Sequence, residues 1–164
     1  MRKILLFLVA AQVSFTVFGQ QPKSSLKNGA MIPDIEGIYY DNTSFNLSEM
    51  KSKVIILDFW ASWCGPCMKS VKTTLKPLYE EYSRSDFEVI GISNDRKKSS
   101  WEKAIKNWGL PWPNIWDNDQ SMVRNFDVPA IPTYFVIDNT GKVLASNVFS
   151  SELKKTVQQL LKKK

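Results

Sequence analysis

The sequence predicts a three-layer α/β domain, a central mixed β-sheet with helices on both faces and a β-hairpin added at its N-terminal side. Three observations predict it. Lys53 to Trp60 carries the almost unbroken apolar run Val54-Ile55-Ile56-Leu57-Asp58-Phe59, the pattern of a strand covered on both faces. Phe87 to Ile92 repeats that character, and the segments around these runs place apolar residues at helical spacing, which gives a β-α-β rhythm. Thr133 to Ile137 and Val143 to Val148, separated by a turn at Asp138 to Gly141, read as a closing hairpin, so the sheet is mixed. A chain of 164 residues, 43% apolar and 23% charged, suits one domain with one core.

In chain order, Ile35 to Tyr40 and Ser44 to Leu47 flank Asp41-Asn42-Thr43 and form the first hairpin. The central strand follows. Pro66 suits the first turn of a helix, where its missing N–H costs nothing, and Val71, Leu75, Leu78, Tyr79 and Tyr82 carry that helix on to about Tyr82 with a kink at Pro77. Ser99 and Glu102 resemble a capping box for a helix that bears Trp101, Ile105 and Trp108 and stops at Gly109. Pro111 and Pro113 make the next stretch a loop leading to a short edge strand near Trp116. A brief helix spans Gln120 to Phe126. After the closing hairpin, Ser150 or Ser151 caps a final helix with Leu153, Val157, Leu160 and Leu161 on one face.

The first residues read as an address. Arg2 and Lys3 precede an apolar run from Ile4 to Phe18 that is shorter than the ~20 residues a membrane span needs, which is the order of a secretory leader. Residues 1–19 are therefore expected to be a signal peptide cut between Gly19 and Gln20, residues 20–28 a polar, loosely held linker, and residues 29–164 the folded domain. Export to the periplasm or beyond follows, with membrane contact only if the leader stays as an anchor.

Composition removes several chemistries. The chain has no histidine, which excludes imidazole bases and Cys-His or Ser-His nucleophiles, and its two cysteines cannot fill a zinc site that wants four ligands. No metal is expected. The net charge of +6 comes from 22 basic against 16 acidic residues, but Arg2, Lys3 and Lys162 to Lys164 sit at the ends and the remaining lysines are scattered. A nucleic-acid binder would gather them into a stripe with aromatics. Nucleic acid is not an expected partner.

The two cysteines form Cys64-Gly65-Pro66-Cys67. Closing so small a loop adds little stability, because the chain-entropy benefit of a cross-link grows with loop length. Exchange chemistry, by contrast, needs one thiolate to attack and a second thiol to resolve the mixed disulfide. Cys64, just ahead of a helix, has the free N–H groups and dipole end that favour a thiolate; Cys67, one turn inside, is more protected. Gly65 and Pro66 add no titrating group, which points to a mild thiol acidity and to reduction rather than oxidation.

Asp58-Phe59-Trp60-Ala61-Ser62-Trp63-Cys64-Gly65-Pro66-Cys67 resembles the active-site segment of thioredoxin, and Ile131-Pro132-Thr133 resembles that family's cis-proline loop. From about Gly29 to Lys164 the order of elements is similar to the exported TlpA/ResA-type branch of thiol-disulfide oxidoreductases. The resemblance implies a thioredoxin-like fold and a redox-active Cys64–Cys67 disulfide with no other cofactor. It implies Pro132 against the cysteines, the Ile131 backbone offered to an extended substrate, and Asp58 as proton acceptor for Cys67 through water; Trp63, adjacent to Cys64, reads as shaping the partner surface. Clients would be disulfide-containing proteins, apocytochrome thiols among them, and an upstream thiol reductant, a membrane electron shuttle being one form, would reset the pair. Two departures matter. Ser70 and Lys72 stand where that branch commonly has an acid and a proline, and Gly91 stands where thioredoxins keep a lysine beside the buried aspartate. Without that cation, burial should raise the proton affinity of Asp58. Trp101, Trp108, Trp112 and Trp116 read as packing. The rival readings are an oxidase or isomerase of exported proteins and a non-catalytic binding module on the same fold; a peroxidase is disfavoured because no threonine-to-cysteine motif precedes Cys64.

Overall fold

The structure, a computed structural model, describes residues 24–40 and 42–162. The leader, its cleavage site, Gln20 to Lys23 and Asp41 lie outside the described residues. Strands β1 (Glu36–Ile38) and β2 (Ser44–Asn46) form the expected hairpin, with Glu36 opposite Asn46. β3 (Val54–Trp60), β4 (Phe87–Ser93), β5 (Asn114–Trp116), β6 (Thr133–Ile137) and β7 (Val143–Val148) make one sheet in the order β5-β4-β3-β6-β7. β3 runs parallel to β4 and antiparallel to β6, so it is central, and every residue of β3 and β4 is buried. That two-sided burial is why their sequences are apolar without alternation.

One face of β3 presents Ile55, Leu57 and Phe59 to Phe126, Phe135 and the N-terminal residues Ile32, Ile35, Phe45 and Leu47. The other presents Val54, Ile56, Asp58 and Trp60 to the helices. These are α1 (Gly65–Ser70) and α2 (Lys76–Glu81), α3 (Lys98–Trp108) and α5 (Ser150–Lys162), while α4 (Ser121–Asn125) leads into Phe126 on the first face. The N-terminal segment also covers both edges of the sheet. Gly29 N–H donates to Val143 O and Val143 N–H to Ala30 O along β7, and Tyr39 bridges Ile115 on β5. Covered edges cannot template pairing with another chain.

Local chemistry moved several boundaries. Between α1 and α2 the chain is a π-segment, Val71–Leu75, in which Lys76 N–H reaches back five residues to Val71 O. Pro77 is the cause, for it lacks an N–H and its ring crowds the carbonyl four residues before it; one widened turn replaces a sharp kink. The Ser99 and Glu102 capping box does not form. α3 starts at Lys98 behind an extended Lys97, Ser99 is already inside the first turn, and Glu102 pairs with Lys98 at 3.7 Å. Gly109 does end α3, at φ 57. Nor does Ser150 cap α5: Phe149 O accepts the first helical N–H bonds, and Ser150 Oγ donates instead to the Tyr134 hydroxyl at 3.3 Å. The stretch expected to be a loose linker is docked from Ser24 onward. Ser24 Oγ donates to Phe126 O at 2.6 Å, Ser24 N–H donates to Asn147 Oδ1 at 2.7 Å, and Asn28 Oδ1 accepts from Ser146 N–H at 3.0 Å. Asn28 satisfies a backbone N–H of an irregular β7, and Asn147, which bends that strand at φ 53, in turn satisfies the Ser24 N–H.

Gly91 lies directly across from Asp58 in the β3–β4 register. A Cβ there would come within 2.1 Å of Asn114 Oδ1 and 2.9 Å of Trp60 Nε1, and Asn114 is held in place by its Nδ2 bond to Trp112 O at 2.8 Å. The Asn114 side chain thus occupies the space that a residue at 91 would need. Gly91→Ala is expected to lower stability by about 1–3 kcal/mol, the usual cost of overpacking, as a lower urea midpoint at unchanged slope.

Candidate active site

The site forms where β3 and β4, being parallel, both end. The chain leaves β3 through Ala61-Ser62-Trp63 and enters α1 at Cys64. This turn is pinned by Asp95, which is buried just beyond β4: its carboxylate accepts from Ser62 N–H at 2.9 Å, Ser62 Oγ at 2.7 Å and Ser93 Oγ at 2.8 Å. Sequence reading missed Asp95. The signal was an acid placed immediately after a buried strand, where a parallel neighbour's loop must pass. Asp95→Ala is expected to cost about 3 kcal/mol, since bonds to a charged acceptor contribute about 1.5–3 kcal/mol each and water replaces part of them; chemical denaturation would measure it.

Cys64 occupies the N-cap of α1 in extended conformation, and its Sγ accepts from Cys67 N–H at 3.1 Å. A sulfur in that position receives a backbone donor and the positive end of the helix, the two features that favour a thiolate. Cys64 and Cys67 are joined as a disulfide. Both are buried, Cys64 at 4% and Cys67 at 1% exposure, so the expected contrast between an open attacker and a hidden resolver is small here. The outward group is Trp63, 70% exposed beside Cys64, with Gly65 and Pro66 also at the surface. The Ile131–Pro132 peptide bond is cis, and Ile131 packs against the cluster that contains both cysteines and Trp60, Trp101 and Ile105. A groove of about 680 Å³ runs from Pro66 past Ile131 and Pro132 to the β7–α5 junction.

Asp58 points from β3 toward the helices, 2% exposed, and its Oδ1 has no hydrogen-bond partner among the described residues. Burial pushes its pKa up to about 7 from the ordinary 3.8. Desolvation penalises the carboxylate and no cation among the described residues offsets it, as expected for Gly91 in the neighbouring position. The structure therefore brings Cys64, Cys67, Trp63, Gly65, Pro66, Ile131 and Pro132 to one end of the sheet, with Asp58 in the layer beneath. Among the described residues no group of three or more potential metal ligands gathers, and no helix is long and apolar enough to cross a membrane.

A mixed sheet of this topology carrying a helix-capping dithiol beside a cis-proline loop defines a thiol-disulfide oxidoreductase with a thioredoxin-like fold. A redoxin family model matches residues 27–161, and the chain belongs to that family. It is 27% identical to the thiol-disulfide oxidoreductase ResA of Bacillus thuringiensis (strain Al Hakam), over 99% of this chain and 94% of the relative. It is also 27% identical to ResA of Bacillus subtilis (strain 168), over 86% and 79%. Among solved structures, the thioredoxin domain of a thiol-disulfide oxidoreductase from Bacteroides vulgatus superposes with a TM-score of 0.75 at 28% identity, over 84% of this chain and 99% of that one. A thiol-disulfide oxidoreductase from Bacteroides fragilis gives 0.71 at 28% identity, over 80% and 99%.

Proposed function

We propose that the chain is an exported reductase of protein disulfides. The observation that carries the direction is the cap at Cys64: its sulfur receives the Cys67 N–H and the helix end, while Gly65 and Pro66 bring no charge that would depress the thiol further. A moderately, not extremely, stabilised thiolate suits a donor of electrons. In the reaction, Cys64 thiolate attacks one sulfur of a client disulfide, and the electron pair of the broken bond leaves on the other. Cys67, deprotonated with Asp58 as acceptor, then attacks Cys64 sulfur and releases the second client thiolate. The client is reduced by two electrons and Cys64–Cys67 is oxidised. Trp63, Ile131 and Pro132 form the surface on which an extended client lies, with the Ile131 backbone offered to it.

Residues 1–19 are read as the cleaved signal peptide and the domain as acting in the periplasm, with an upstream thiol reductant, a membrane electron shuttle in the simplest arrangement, resetting the pair. Exported apocytochromes with oxidised thiols are one client class of suitable chemistry. The test is the reduction potential of the Cys64–Cys67 couple, by equilibration of the mature chain against dithiothreitol or glutathione buffers. A value near about −270 mV supports the reductase; one near about −120 mV reverses the direction and makes it an oxidant.

A further inference from the structure

Ser70 follows Cys67 by three residues and so shares its face of α1. It is 2% exposed, and its Oγ has no hydrogen-bond partner among the described residues. Tyr134, buried on β6, pairs in register with Asp58 and projects from the same face of the sheet. Its hydroxyl accepts from Ser150 Oγ at 3.3 Å, at the start of α5. Burial, and after it the charge of Asp58, raises the Tyr134 pKa; the neighbouring Ser150 and Ser70 hydroxyls act the other way. Three hydroxyls thus meet at the end of one ring whose strand partner is Asp58. Two of them, Ser70 and Ser150, also line the groove that begins at Pro66 and Pro132.

The position of this cluster answers a requirement of the reaction. When Cys67 attacks the Cys64–client disulfide, its S–H proton passes to Asp58, the Cys67–Cys64 bond forms, and the Cys64–client bond breaks with its electron pair leaving on the client sulfur. Asp58 can take that proton only if it is ionised while the client is still attached, so any proton it already carries must leave with the client in place. A client lying on Trp63, Ile131 and Pro132 covers the sulfur side of the site and excludes water from it. We propose that Ser70 and Tyr134 form a second proton exit for Asp58, opening into the groove between α1 and the β7–α5 junction, and so serve as positioning residues for the resolving step. The proposal rests on the reading of Asp58 as acceptor of the Cys67 proton.

The groups around Asp58 are consistent with this route. β4 presents Gly91 and β6 Tyr134 opposite Asp58, Cys67 and Ser70 share a face of α1, and Ser70 and Ser150 neighbour the Tyr134 hydroxyl. Of these Tyr134 and Cys67 titrate, and the nearest cation on the groove is Lys69, exposed at its rim.

The experiment follows formation and decay of the Cys64 mixed disulfide by quenched flow and mass spectrometry, across pH 5.5 to about 9. Reduced mature protein, Tyr134→Phe, Ser70→Ala and Asp58→Asn are each reacted with insulin, which covers the sulfur side, and with oxidised glutathione, which leaves it wet. Thermal melts confirm that each variant is folded. For Tyr134→Phe and Ser70→Ala, insulin release is expected to slow roughly fivefold or more with a flattened rise near pH 7, while mixed-disulfide formation and glutathione release change by less than about twofold. Wild-type insulin release in both variants, or equal slowing with both probes, overturns the exit. If those two variants match wild type while Asp58→Asn slows release, the exit fails and Asp58 stands as acceptor. If Asp58→Asn is itself without effect, it is the acceptor reading that has failed, and the exit falls with it.

Discussion

Cys67→Ser, mixed with a disulfide-bonded protein, will accumulate a covalent adduct through Cys64, whereas Cys64→Ser will form none. Both cysteines are buried in the disulfide, Cys64 at 4% and Cys67 at 1% exposure, so their roles separate chiefly by position on the helix. Cys64 holds the cap and receives the Cys67 N–H, which lowers the cost of its thiolate; Cys67 lies in the first turn and is 1% exposed. Without Cys67 the adduct waits for an outside thiol. Resolution then becomes bimolecular and loses the advantage of a held nucleophile, so turnover should fall at least about a thousandfold. Non-reducing electrophoresis and an insulin reduction assay read both results. If Cys64→Ser kept its turnover, the dithiol mechanism would be wrong. If the mature chain showed no turnover at all yet bound clients with either cysteine replaced, it would be a binding module.

Stability and the resolving step both depend on pH through Asp58. Asp58 in the folded protein holds its proton to about pH 7, while in the unfolded chain it releases it near 3.8. Between those values the folded state binds more protons than the unfolded one, so this residue makes stability fall as pH rises from about 4 to 7 and adds no further slope above. At roughly 1.4 kcal/mol per pKa unit, the cost at pH 8 is up to about 4 kcal/mol. Asp58→Asn removes the buried charge. It should therefore gain stability over the parent at pH 8 by up to about that amount and gain little at pH 4, in urea titrations run at both values. The same variant should lose the inflection near pH 7 in the resolving step and slow it, because no carboxylate remains to take the Cys67 proton. A gain in stability with a loss of rate is the pattern of a residue retained for chemistry at the expense of the fold. Equal gains at both pH values would show that Asp58 is not buried as a charge.

The chain by itself determined the architecture and the reacting atoms. Short apolar runs without alternation, rich in β-branched residues, read as strands covered on both sides, and that placed β3 and β4 at the centre; two thiols three residues apart at a helix start can do little for stability, and that marked Cys64 and Cys67 as chemistry. Resemblance of short segments added Pro132, Trp63 and Asp58. The end points of helices were less legible. Ser99 and Ser150 have the chemistry of caps, but a hydroxyl caps only where the backbone turns into the helix at that residue. In α3 the turn comes before Ser99, and at α5 the Tyr134 hydroxyl competes for Ser150.

Other features were decided only when distant segments met. Asp95 became an anchor because parallel strands end side by side, which brings residue 62 within hydrogen-bond reach of residue 95. Ser24 to Asn28 looked like a free linker and became the cover of β7, because an irregular edge left polar groups that polar side chains could satisfy. In sequence Gly91 marks only a missing cation; in the fold it is the space that the Asn114 amide fills. Local pattern records how each segment treats water. It does not record which segment across the sheet will take up an open donor, an acceptor or a void, and in this protein those pairings set the surroundings of Asp58 and the hold on the Cys64 loop.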